Sequence, residues 1–153
     1  MGDPDRISRG DWETILHAPF QVYRLVASAD GEPTEAQFRR LTEEIAGARG
    51  FFSDGTIGLT MTETLAANLD AFWAAYQAAE RSPKDGLKRV KKALRKAPDD
   101  ESLAIRDWLL ALAARIADAR RAVGAESVTE AEGRAIAEIA GWLDRPRPEF
   151  EPG

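Results

Sequence analysis

The 153-residue chain contains no cysteine and a single histidine, His17. Without thiols there is no disulfide framework and no thiolate chemistry, which fits a reducing compartment. With one histidine and no cysteine the chain cannot build a nitrogen/sulfur zinc site of its own, and any Ser-His-Asp arrangement would rest on His17 alone. A buried, hydrogen-bonded role beside Pro19 is the simpler expectation for that residue. No stretch approaches the roughly 20 apolar residues of a membrane span, and the opening "MGDPDRISRGDWE" is charged throughout, without the apolar core of a leader. No run of alternating β-branched residues suggests a sheet. Gly50 and Gly55 have the separation of a P-loop, but Thr56 and Ile57 stand where Lys and Ser/Thr would grip phosphate. No carboxylate pair is marked for acid–base work. These absences point to a cytoplasmic, bacterial-type protein that is not an enzyme.

What is present is helical periodicity. With 44% hydrophobic and 31% charged residues the chain is of the globular class, and its length suits one domain that buries about 70% of its unfolded surface. The expected domain spans residues 1–143, followed by a flexible proline-rich tail over 144–153. Trp12, Ile15 and Leu16 predict a short helix, and Pro19 then opens a second that runs to Ala29. Thr34 and Gln37 make a capping box for a helix whose Phe38, Leu41, Ile45 and Ala48 form the core stripe. "GARGFFSDGTIG" holds four glycines in twelve residues and predicts the longest loop. Thr60 and Glu63 form another capping box, opening a helix with an aromatic face of Phe72, Trp73 and Tyr76. Ser82-Pro83 starts a helix that reaches Ala97, and Pro98 forbids its continuation. Asp99 or Asp100 caps the longest helix, to about Val123, before Gly124 stops it. Thr129 and Glu132 box the last one.

The segments "TEAQFRRLTEE" from Thr34 and "TEAEGRAIAEI" from Thr129 echo each other at an offset of 95 residues. Two related helical hairpins flanking the middle helices would make a pseudo-symmetric all-α bundle of about seven helices. The stretch "APFQVYRLVASADGEPTEAQ" resembles the tellurite-resistance TerB-like domains, whose first hairpin carries a similar Asp-Gly junction. That resemblance implies an all-helical, pseudo-repeated bundle of about this length. It also implies a role in bacterial stress-response or membrane-associated complexes as a protein-binding or scaffolding module, without a catalytic reaction. Carried over position by position, it implies a carboxylate cluster of Asp30, Glu32 and Glu35 for a divalent cation, Mg²⁺ or Ca²⁺, and hence a metal-sensing alternative. The chain departs from the pattern at Pro33, where a hydrophobic residue is usual, and at Gln37, which replaces an acid.

Counting excludes an EF-hand. With Gly31 as the sixth loop position, Val26, Ser28 and Gln37 fall at positions 1, 3 and 12, leaving Asp30 as the one carboxylate in the main ligand slots. The competing reading is punctuation: Gly31 relieves a left-handed helix stop while Glu32 and Glu35 favour the positive end of the next helix.

Two further features stand out. All lysines of the chain, Lys84, Lys88, Lys91, Lys92 and Lys96, sit in "KDGLKRVKKALRK". With Arg89 and Arg95 against Asp85 the stretch carries +6, so a chain of net charge −5 carries −11 elsewhere. Such a helix is either a solvated face offsetting acidic neighbours or a surface for an acidic protein, a second copy or an anionic membrane. No helix-turn-helix signature and no interleaved aromatics accompany it, so sequence-specific nucleic-acid binding is not expected. Phe51 and Phe52 are adjacent, so either one ring is exposed as a candidate anchor for a partner or both pin the glycine-rich loop onto the bundle.

Overall fold

The computed structural model describes residues 7–29, 31–79, 82–119 and 129–146. Among these it holds seven α-helices and no strand: α1 (Arg9–Ala27), α2 (Glu35–Ala46), α3 (Ile57–Ala67), α4 (Leu69–Ala78), α5 (Pro83–Leu94), α6 (Asp99–Ala119) and α7 (Glu130–Trp142), with a 3₁₀ turn at Ala48–Gly50. The chain is an all-α helical bundle. No helix among the described residues is long and apolar enough to cross a membrane.

Helix α1 is the axis of the bundle. It packs against each of the other six α-helices, most extensively against α5 and then α6. A helix surrounded in this way must be apolar on all sides rather than along one stripe, and every residue from Ile15 to Tyr23 is buried. Burial also explains why Pro19 does not divide the segment. Pro19 lies inside one continuous helix from Arg9 to Ala27, instead of opening a second one. An interior proline costs about 3 kcal/mol of helix stability, but Phe20, Val22 and Val26 are all fully buried. Burying each such side chain contributes about 1.5–3 kcal/mol, so packing outweighs the local cost.

The predicted starts of α2 and α7 hold in detail. The Thr34 hydroxyl accepts the Gln37 N–H at 3.1 Å while Gln37 Oε1 accepts the Thr34 N–H at 3.0 Å. Thr129 and Glu132 repeat both bonds, each at 3.1 Å. The two boxes then meet: Gln37 Nε2 donates to Glu132 Oε2 at 3.2 Å, and both side chains are wholly buried. The residues that touch are equivalent positions of the 95-residue echo.

Four boundaries differ from expectation. Helix α3 begins at Ile57, not Thr60; the Thr56 hydroxyl accepts the Leu59 N–H at 3.3 Å, and Glu101 Oε1 takes the Ile57 N–H at 2.7 Å. A buried carboxylate from α6 thus supplies part of the cap, a contribution no local pattern announces. Thr60 lies within the helix and returns its hydroxyl to the Thr56 carbonyl. Asn68, at φ −152° and ψ 51°, divides the expected aromatic helix into α3 and α4. Helix α5 ends at Leu94 rather than Ala97, and Asp99 and Asp100 occupy the first turn of α6 instead of capping it. The expected end near Val123, the stop at Gly124 and positions 147–153 of the expected tail lie outside the described residues. Within the tail, Lys91 pairs with Asp144 and Arg145 with Asp107.

Candidate functional site

Helix α5 is amphipathic, with Leu87, Val90 and Leu94 fully buried toward the bundle. Its basic residues divide between two flanks. Lys84, Lys88 and Lys91 follow one another at i, i+4 and i+7, which keeps them on one side, and that side meets α7 and the turn after it. Lys84 Nζ lies 3.2 Å from Glu138 Oε1, Lys91 Nζ lies 3.1 Å from Asp144 Oδ2, and Lys88 Nζ sits over the Trp142 ring at 5.1 Å. This flank is internally compensated.

Arg89, Lys92 and Lys96 follow at i, i+3 and i+7 and line the opposite flank, a groove of about 550 Å³ between α5 and the first half of α1. Lys96 pairs with Asp11 of α1. The Lys96 ammonium, and after it the Ser8 hydroxyl, hold the Asp11 carboxyl below its ordinary value. Arg89 and Lys92 have no ion-pair partner among the described residues, and neither does Arg95, which is exposed beside them.

The floor of the groove is built from buried polar side chains of α1. Gln21 is 3% exposed, and its Oε1 accepts the Tyr76 hydroxyl proton at 2.8 Å. Burial pushes the Tyr76 phenol up, against a smaller opposing effect of Arg24, so the hydroxyl remains a donor at neutral pH. The other end of the amide presses on Gly86: a Cβ there would lie 2.0 Å from Gln21 Nε2. Glycine at 86 is therefore what lets α1 and α5 approach so closely at the groove. His17, also buried, stands edge-on to Tyr76 with ring centroids 5.6 Å apart. On the α1 wall, Thr14 returns its hydroxyl to the Gly10 carbonyl at 3.0 Å, and Glu13 is exposed at the rim.

The remaining candidates are distributed elsewhere. Asp30 lies outside the described residues; Glu32 and Glu35 are exposed, with Glu35 in the first turn of α2. Gly31 has a positive φ of 111°, which favours glycine, but α1 has already ended at Ala27 with Ser28 as its C-cap, so Gly31 bends the loop before α2 and does not stop a helix. Among the described residues no group of three or more His, Asp or Glu is placed to hold a metal ion. Phe52 is buried against Gly58 and Trp108, whereas Phe51 is 47% exposed and rests edge-on against Phe52. The loop thus turns one ring in and one ring out.

Pattern reading found Arg89, Lys92 and Lys96 as part of a basic helix but missed Gln21, Glu13 and Gly86, which share the groove with them. One signal was available: a glycine inside a strongly amphipathic helix weakens it by about 1 kcal/mol and calls for a packing reason. No protein-family model matches the chain, and neither a curated protein nor a solved structure shows significant similarity to it.

Proposed function

We propose that the chain is a non-catalytic binding module that recognises negative charge through the groove between α1 and α5. Its setting is that implied by the TerB-like resemblance: an adaptor for a protein partner in a bacterial stress-response or membrane-associated complex. One observation carries the reading. On a single helix the lysines facing α7 are neutralised or stacked, while Arg89 and Lys92 line a groove without an ion-pair partner among the described residues. Uncompensated cations at a concave surface attract anions, and a concave wall concentrates their field.

Affinity capture at low and raised salt tests it. The charge-reversed Arg89→Glu/Lys92→Glu protein loses a salt-sensitive partner that the Lys84→Glu protein keeps. An identical partner profile for both variants and the parent chain would show the reading to be wrong. Repeating the capture with a chelator distinguishes this module from a metal sensor based on Asp30, Glu32 and Glu35, whose partner would depend on the ion.

A further inference from the structure

Building on the reading that the groove recognises negative charge, we infer its ligand class: a small phosphate monoester that also carries hydroxyl groups. The phosphate sits between Arg89 and Lys92, and the hydroxyls face Glu13 and the Gln21 amide.

Four observations converge on that chemistry. Arg89 and Lys92 are one helical turn apart on the groove side of α5, so together they offer a guanidinium fork and an ammonium to one group. Neither is in an ion pair among the described residues, although Asp11 also acts on Lys92 through space, and a phosphate monoester, which carries between −1.5 and −2 near neutral pH, can engage both. Gln21 supplies a second, independent pointer. Its carbonyl oxygen is taken by Tyr76, its NH₂ lies against Gly86 in the groove wall, and that NH₂ has no acceptor among the described residues. That NH₂ borders the groove, where an oxygen-rich ligand can accept from it.

Glu13 discriminates among anions. A carboxylate on the wall facing the cations repels a ligand that is negative throughout, such as an acidic peptide, but accepts a hydrogen bond from a hydroxyl. The lining also excludes other phosphate carriers. Among the described residues of the lining Ala79 is the one hydrocarbon side chain and His17 the one ring, so the described walls offer no apolar surface for an acyl chain and only one small ring to a nucleobase. The volume of about 550 Å³ lies within the range of small-molecule sites.

Isothermal titration of the full chain at low salt, with glycerol 3-phosphate, inorganic phosphate, glycerol and a hexaglutamate peptide as probes, tests the inference. Glycerol 3-phosphate should bind one to one and about tenfold or more tighter than inorganic phosphate, with glycerol silent. Arg89→Ala/Lys92→Ala should weaken it at least about tenfold. Glu13→Gln should remove the preference for the ester over inorganic phosphate while keeping phosphate binding. If the peptide binds and the ester does not, the ligand class is wrong but the anion-recognising groove stands. If no anion binds, both fall. Equal affinity for ester and inorganic phosphate, or full binding by the double variant, overturns the inference. Should the double variant fail to fold, Lys92→Ala alone, a change at an exposed side chain, carries the same comparison.

Discussion

The two flanks of α5 are built from the same residue types and do different things. Toward α7, Lys84, Lys88 and Lys91 find a carboxylate, an indole ring and a carboxylate in turn. Toward α1, Lys96 finds Asp11, while Arg89 and Lys92 border open volume. A run of basic residues is therefore not one feature. What separates a structural cation from a recognising one is whether the fold has already supplied its counter-charge, and that depends on neighbours far away in the chain.

This contrast can be broken by substitution. The largest effect should come from Gly86→Ala, because the new methyl would collide with the Gln21 amide on which the groove floor is built. Overpacking of this kind costs about 1–3 kcal/mol, of which the better helix propensity of alanine returns about 1 kcal/mol, and the net is read as a fall in Tm of about 2–4 °C per kcal/mol. Combining it with Gln21→Ala should restore part of the loss, and independent additive losses would show that the close approach is not the cause. Next comes Lys88→Ala, expected to cost about 0.5–1 kcal/mol by removing the cation over Trp142. Lys88→Met keeps the hydrocarbon stem and so isolates the charge.

Smaller still is Lys91→Ala, at under about 1 kcal/mol, because its pair with Asp144 is partly exposed; the difference should disappear in salt. On the groove side, Asp11 gives a pH signature of the one pair found there. Its carboxyl is held down in the folded protein, so the pair with Lys96 contributes above the ordinary value of 3.8 and is lost as pH falls through the depressed folded value. In an NMR titration Lys96→Met should move the Asp11 midpoint back up toward 3.8; an unmoved midpoint would assign the depression to Ser8 and Lys92 instead. Least of all, Arg89→Ala and Lys92→Ala should each change stability by no more than about 0.5 kcal/mol. A loss comparable with that of Lys88→Ala would place them among the structural cations and erase the contrast.

How much of this could be read from the letters follows from the range of each interaction. Thr34 with Gln37, and Thr129 with Glu132, close their bonds within one turn, so the starts of α2 and α7 were legible to the residue. Pro19 misled because its local penalty is visible, whereas the six helices packed around α1 are not. Thr56 was passed over for Thr60 because part of the α3 cap comes from Glu101, 44 positions along the chain. The groove was half legible for the same reason: its cations stand out in α5, but Gln21 and Glu13 belong to α1 and reach them only through the fold. Which way Phe51 and Phe52 turn was not legible: adjacency allowed either one exposed ring or two rings pinning the loop, and the choice depends on Gly58 and Trp108, which receive Phe52.

The contact between Gln37 and Glu132 bears on the ancestry of the molecule. If the two helix starts arose by duplication of one unit, the copies could not both have kept glutamate at this spot. A pair of glutamates 3.2 Å apart, sealed from water, would resist ionising together, whereas a carboxamide facing a carboxylate can donate to it. The contact thus asks for a carboxamide on at least one side, and a chain that repeated glutamate at both positions would be at odds with itself there.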